Sequence, residues 1–405
     1  MRILISAYAC APGRGSESGA GWEWACAAAR AHTVWVLTHA SNAPLIDAAL
    51  AEDRVLASRL HPVYLRNPRY LRPLRGRGPG RFVYYLWWQL GTCRRAARVC
   101  HSRIGFQACH HVTYAADWLP VGISTLRGIP LIWGPIGGSS TTGNPRLWMS
   151  LGPRAFLLEA VRTLSLTSAR QLIGRSIAKK AAVVLAQNDD VAARFAPFPV
   201  IVEPNVALRI PGGESPGANH LPTTYVRLGQ PVAVYAGRLL AWKGLRLALA
   251  ALRRPEASHW RFDIYGAGPE RRRLERMAMQ WGLTDRVTFH GHRPRAEILE
   301  ALTRADVFLF PSTHDAAGWS VAEAMASGCP VLCLAMGGPA TLVEPRDGVI
   351  IPPTRDLVGE LAKGLDRARA IRPRRDRWRA ERLPSILDAI YPSAEPNARA
   401  AAAAI

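Results

Sequence analysis

Residues 307–331 read VFLFPSTHDAAGWSVAEAMASGCPV. Val307–Phe310 is a short apolar run with no polar break, which predicts a strand buried on both faces. Pro311 stops it. A loop follows, carrying Asp315 and Gly318, and a helix opens near Ser320 and runs to about Ser327. Val331–Leu334 is the next apolar run. Strand, helix and strand in this order make a βαβ unit, whose strands lie parallel.

The same rhythm extends in both directions. Arg2–Ala7, Thr33–Thr38, Phe106–Cys109, Pro130–Trp133, Ala181–Ala186 and Val200–Val202 read as strands, as do Val232–Ala236, Arg261–Tyr265 and Val287–Phe289. Helical patterns fall between them, among them Trp22–Arg30, Phe82–Cys100, Leu245–Arg253 and Arg271–Trp281. Residues 211–222 (PGGESPGANHLP) are the best linker. The reading is therefore α/β, with two Rossmann-like parallel-sheet domains facing a central cleft. Residues 1–215 form the first domain and 223–377 the second. A C-terminal helix at 378–393 returns to the first domain, and 394–405 is a disordered tail. Ligands of open α/β sheets bind at the carboxyl ends of the strands, so the loops after strands are the places to look.

Composition narrows the class. The chain has 405 residues, is 49% hydrophobic and carries a formal charge of +22. That hydrophobic content supports full cores and excludes a disordered or collagenous chain. Seven Cys, none in a C-x-x-C pair, predict reduced thiols in the cytoplasm and no structural zinc. No run of about 20 apolar residues offers a spanning helix. The N-terminal run MRILISAYACAPG reads as a buried strand rather than a signal peptide. From Arg54 to Ala116 there are twelve Arg and no acid, around the aromatic block Phe82–Trp88. Three readings of residues 54–103 compete: a solvated basic face, a peripheral surface for an anionic membrane, and a nucleic-acid platform. No zinc finger, RRM signature or helix-turn-helix supports the third, and no nucleic-acid partner is expected.

Five loops carry candidate chemistry. Gly237-Arg238-Leu239-Leu240-Ala241-Trp242-Lys243-Gly244 follows the strand VAVYA. Arg238 forks onto two oxygens, Lys243 adds a compact charge, and the next helix adds its positive end, which together suit a diphosphate. Only four of the 52 basic residues are Lys, so Lys243 is not this chain's default choice. In the second loop, Asp315 and Glu323 supply carboxylates that suit sugar or ribose hydroxyls. Glu323 is placed in the first helical turn, where Ser320-x-x-Glu323 also reads as a capping box, and Asp315 also reads as an Asx-turn residue. In the third loop, Gly268 of Tyr265-Gly266-Ala267-Gly268 lets a ring or backbone approach closely. The fourth is Gly13–Gly21 ahead of a helix, where Gly19 and Gly21 belong to a cradle for a phosphate or sugar. It is neither a P-loop nor a clean dinucleotide fingerprint. The fifth is His110-His111 at a strand end, where a histidine can bond a sugar hydroxyl.

Arg238 with Lys243, Asp315 with Glu323, and the run Glu-Ala-Met-Ala-Ser-Gly-Cys-Pro-Val together resemble the retaining nucleotide-sugar glycosyltransferases of family 4 (group 1), with the GT-B fold. The match covers about residues 231–353. Glu203-Pro204-Asn205-Val206 resembles the family's P-N-G-V, and ISAYACAPGRGSESGAGW with LIWGPIGGSS resembles a bacterial branch of polysaccharide assembly. The resemblance implies that Arg238 and Lys243 bind the donor diphosphate and that Glu323 holds the ribose. Asp315, where the family usually has Glu, would contact the transferred sugar. Gly318, Trp319 and Ser320 would line the donor, with Gly318 and Trp319 offering backbone N–H groups, and His111 would be the cleft histidine with His110 its rival. It implies a hexose moved from a nucleotide diphosphate-sugar, with retention, to a saccharide acceptor; the basic, aromatic segment 54–103 motivates the expectation that this acceptor is lipid-linked at the inner face of the cytoplasmic membrane. No D-x-D motif stands out and Asp189-Asp190 reads as structural, so no metal or other cofactor is expected. The shorter Asp315 keeps a second expectation open: a degenerate member that binds nucleotide or glycan without turnover.

Overall fold

The computed structural model describes residues 1–76, 80–138, 153–209 and 229–393. Short apolar runs form its strands, as parallel sheets covered on both faces require. In the first sheet these are β1 (Arg2–Ser6), β2 (Thr33–His39), β3 (Leu60–Leu65), β4 (Ala108–His111), β5 (Leu131–Ile136), β6 (Ala181–Ala186) and β7 (Val200–Val202). In the second they are β8 (Val232–Ala236), β9 (Arg261–Tyr265), β10 (Val287–Gly291), β11 (Val307–Phe310), β12 (Val331–Leu334) and β13 (Gly348–Ile351).

The first sheet has the order β3-β2-β1-β4-β5-β6-β7 and the second β10-β9-β8-β11-β12-β13. Every pairing between named strands is parallel. Each sheet is doubly wound, with its strand order reversing between β1 and β4 and between β8 and β11. Ser6 pairs with His111 across the first reversal, and Phe308 with Val234 across the second.

By its contacts the chain divides into two compact units. One comprises Met1–Ser139, Arg162–Ala207 and Ala380–Ile405, the other Ser140–Val161 and Leu208–Arg379. The 211–222 linker and the 394–405 tail lie outside the described residues. The helix Leu383–Ser393 groups with the first unit, where the Tyr391 hydroxyl lies 3.1 Å from His110 Nδ1.

Packing corrects the local reading in two places. The helix expected from Trp22 starts at Ser16, so Gly19 and Gly21 are buried inside it rather than in a loop. A Cβ on Gly21 would stand 2.2 Å from the Ala9 carbonyl oxygen, so the helix needs glycine there to lie on the end of β1. That contact outweighs the ~1 kcal/mol a mid-helix glycine costs. The aromatic block runs as an α-helix over Gly80–Trp87, a π-helical stretch over Trp88–Cys93 and an α-helix over Arg94–Ile104. Tyr84, Tyr85 and Trp88 turn into the core, while Phe82, Val83, Trp87 and Leu90 stay outside.

Candidate functional site

In the second unit, four loops meet at the carboxyl edge of the sheet, around its point of reversal. Gly244, with φ +74°, closes the loop after β8; a Cβ there would lie 1.8 Å from the Pro311 carbonyl oxygen. The loop after β11 grips the same backbone. Thr313 donates its N–H (2.9 Å) and hydroxyl (3.1 Å) to the Trp242 carbonyl, and the Ser312 hydroxyl adds a third bond at 3.3 Å. This knot delivers Lys243 to Asp315. The ammonium donates to Oδ2 of Asp315 and stands 5.0 Å from the centre of the Phe310 ring. Both side chains are largely buried, at 16% and 20% exposure, so the pair is held more firmly than a surface salt bridge.

The loop after β9 supports the first. Leu239 donates to the Ala267 carbonyl at 3.0 Å, and a Cβ on Gly268 would fall 2.2 Å from the Leu239 oxygen. Gly268 thus gives the backbone of residues 237–240 its seat, and Gly237 donates to the Tyr265 carbonyl at 3.0 Å. Arg238 lies at the exposed tip. Among the described residues it forms no ion pair, and its carbonyl accepts the Tyr235 hydroxyl at 2.9 Å.

The helix after β11 begins at Trp319, with Gly318 as its N-cap at φ 69° and no capping side chain. The capping box is not formed. Glu323 falls in the second turn, because the helix opens one residue before Ser320. Its carboxylate instead accepts Arg295 Nε at 2.7 Å. Trp319 and Ser320, half-buried, occupy the first turn, whose N–H groups and dipole favour an anion at this edge.

Sequence reasoning missed two features. Arg295, 28 residues before Glu323, has no motif of its own. The turn Ala335-Met336 after β12 and the helix it opens, Gly337–Leu342, also went unread. Gly338 donates to the Asp315 carbonyl at 2.8 Å, and a Cβ on Gly337 would stand 2.4 Å from that oxygen. Gly-Gly-Pro two residues after a strand was the available signal. Together these loops present two cations, two carboxylates and a helix N-terminus at one sheet edge, which suits an anionic, hydroxyl-rich ligand.

The first unit holds the histidine pair. His110 Nε2 lies 2.8 Å from the Gly134 carbonyl, so that nitrogen carries the proton, and Nδ1 accepts the Tyr391 hydroxyl. Both nitrogens are engaged in structure. His111 has Nδ1 3.2 Å from the Ser6 hydroxyl, and among the described residues Nε2 takes no partner. Burial pushes both rings down, His110 to about 4 and His111 to about 3, the latter also through its neighbour, so both are neutral at pH 7. Among the described residues no three His, Cys, Asp or Glu groups gather as for a metal, and none of the seven cysteines is in a disulfide.

Residues 224–382 match the family model described as "Glycosyl transferases group 1". That segment is similar to the group 1 glycosyltransferases. The matched segment holds all four loops of the second unit. A 2-deoxystreptamine glucosyltransferase of Streptomyces kanamyceticus is 35% identical over 137 residues, 33% of this chain and 34% of that protein. A putative colanic acid biosynthesis glycosyltransferase, WcaL of Salmonella typhimurium, is 37% identical over 134 residues, 31% of this chain and 33% of that protein. The alignments thus span about a third of these relatives' length. The crystal structure of HepE from Anabaena in complex with UDP resembles the whole fold, with a TM-score of 0.55 and 18% identity, over 97% of this chain and 100% of that one. The fold is GT-B: two Rossmann-like parallel-sheet domains. No described helix is long and apolar enough to cross a membrane.

Proposed function

We propose that this group 1 glycosyltransferase moves a hexose from a nucleotide diphosphate-sugar to a saccharide acceptor, with retention of configuration, in the assembly of a cell-surface polysaccharide. The observation that carries the reading is the meeting of Lys243 and Asp315 at the strand reversal, inside the matched segment. Arg238, Lys243 and the helix from Trp319 stabilise the leaving diphosphate, the charge that must be balanced as the glycosidic bond breaks. The donor takes Lys243 over from Asp315, which frees that carboxylate for hydroxyls of the transferred sugar. Glu323, steadied by Arg295, holds the ribose. The acceptor hydroxyl attacks on the leaving-group face and yields its proton to the departing phosphate, so the reading needs neither a protein nucleophile nor a resident metal. His111, neutral, offers a hydrogen bond to sugar.

HepE bound to UDP supports the donor class, and WcaL's colanic acid role supports the product class. The acceptor in this reading is lipid-linked. Exposed Phe82, Val83, Trp87 and Leu90, within an Arg-rich span free of acid, fit the surface of an anionic membrane. A second reading, binding without turnover, rests on Asp315, whose carboxylate is one methylene shorter than Glu.

The test is a panel of UDP-, GDP- and ADP-hexoses, followed by thermal shift and by proton NMR of the product's anomeric centre. One donor should stabilise the protein and give an axial or equatorial linkage matching its own. Stabilisation without product favours the second reading. Inversion contradicts retention, and no response to any donor contradicts the proposal. Sedimentation with vesicles that shows no dependence on anionic lipid would remove the membrane surface.

A further inference from the structure

We propose that Ser6 and Cys93 are positioning residues that fix the tautomer of His111, so that Nε2 carries the proton and serves a ligand as a hydrogen-bond donor rather than as a base. Ser6 ends β1, His111 ends β4, and the two residues pair across the strands. Ser6 Oγ stands 3.2 Å from His111 Nδ1 and 3.6 Å from Cys93 Sγ. Cys93 arrives from a different element, as the last residue of the π-helical stretch Trp88–Cys93. Such stretches are rare and gather at functional sites. Ser6 and Cys93 are fully buried and His111 is 1% exposed, so the three groups must satisfy one another.

This chain of hydrogen bonds can run in two directions. In one, the thiol donates to the Ser6 oxygen and the Ser6 hydroxyl donates to Nδ1. In the other, Nδ1–H donates to Ser6 and the hydroxyl donates to sulfur. Sulfur is a weak acceptor and a bare imidazole nitrogen a good one, so the first direction sets the stronger donor on the stronger acceptor. Burial pushes the Cys93 thiol up to about 12, which keeps its proton in place to donate. A neutral imidazole carries one N–H. With Nδ1 accepting, that N–H is on Nε2, which takes no partner among the described residues. Its complement is an acceptor oxygen on a ligand. A ring held this way takes up no proton: Ser6 occupies one nitrogen, the other is already protonated, and burial keeps the whole neutral. His110 is the contrast, with both nitrogens spent on Gly134 and Tyr391. That the ligand oxygen belongs to a sugar rests on the transfer reading; the tautomer does not.

The experiment is long-range proton–nitrogen NMR on the full, isotope-labelled chain at neutral pH, with the His111 signals identified by their loss in His111→Asn. Wild type should show Nε2 at the position of a protonated ring nitrogen and Nδ1 at that of a bare one. Ser6→Ala should draw the two resonances together as the second tautomer fills, and Cys93→Val should do so less. Ser6→Thr, which keeps the hydroxyl, should restore the wild-type pattern. A wild-type ring protonated on Nδ1, or an unchanged pattern in folded Ser6→Ala, overturns the proposal. If Ser6→Ala does not fold, the wild-type spectrum and Cys93→Val decide. With a donor that turns over, Ser6→Ala should lower kcat/KM about tenfold, the scale of one hydrogen bond, and leave nucleotide diphosphate affinity unchanged. Absence of turnover with every donor would count against the transfer reading and leave the tautomer to be read from the spectrum.

Discussion

The two sheets reverse their strand order in the same way, yet the two reversals are furnished with opposite chemistry. At β8/β11 the loops carry Arg238, Lys243 and Asp315 and the following helix carries Glu323, and the carboxylates are held in ion pairs by Lys243 and Arg295. At β1/β4 the end of β4 carries two neutral histidines, and the loops beside it carry aromatic rings. The frame fixes where a ligand sits; the side chains fix which ligand. Charged side chains gather at the reversal of one unit, and neutral rings gather at the reversal of the other.

The largest effect that tests this contrast is on Asp315. Asp315→Asn should lower turnover on the order of 100-fold, as losing a transition-state hydrogen-bonding group does. Nucleotide diphosphate should bind at least as tightly, because Lys243 no longer has a carboxylate to leave. Steady-state kinetics with calorimetric titration separates the two. Parallel losses of kcat and affinity would break the assignment.

Next come the glycines that seat each reversal. Gly268→Ala and Gly21→Ala each place a Cβ 2.2 Å from a backbone oxygen, of Leu239 and Ala9 respectively. Each should destabilise its own unit by about 1–3 kcal/mol, the usual range for overpacking. Hydrogen exchange resolves the effects by unit. Loss of protection in the opposite unit would contradict the division.

A further effect is acid sensitivity of the first unit. The folded values of about 4 for His110 and about 3 for His111 lie below the ordinary ~6.5 of an unfolded histidine. The unfolded chain therefore takes up protons first on acidification. This stability is fully present above about pH 6.5 and is lost as pH falls toward the folded values, by at most about 1.4 kcal/mol per pH unit for each ring. Melting of the first unit should fall between pH 7 and pH 5, and His111→Asn should flatten the fall. A pH-independent midpoint would contradict the buried neutral pair.

How much of this was readable from the chain follows from how far each interaction reaches. Val307–Phe310 announced a buried strand because parallel strands covered on both faces are apolar throughout. The loop motifs were legible because each is contiguous. What escaped depends on partners distant in sequence. Gly19 and Gly21 read as loop, since helix propensity cannot register the Ala9 carbonyl that demands glycine. Ser320-x-x-Glu323 read as a capping box, since only the fold brings Arg295 to Glu323. His111 stood ahead of His110 only by resemblance, because neighbours in a strand face opposite sides and the Tyr391 hydroxyl that occupies His110 comes from 281 residues away.

The division of chemistry between the two reversals is tested most directly by calorimetric titration of one nucleotide diphosphate into wild type, Lys243→Ala and His111→Asn. The expected result is affinity at least tenfold weaker in Lys243→Ala and unchanged in His111→Asn. Affinity kept in Lys243→Ala, or lost in His111→Asn, would contradict it.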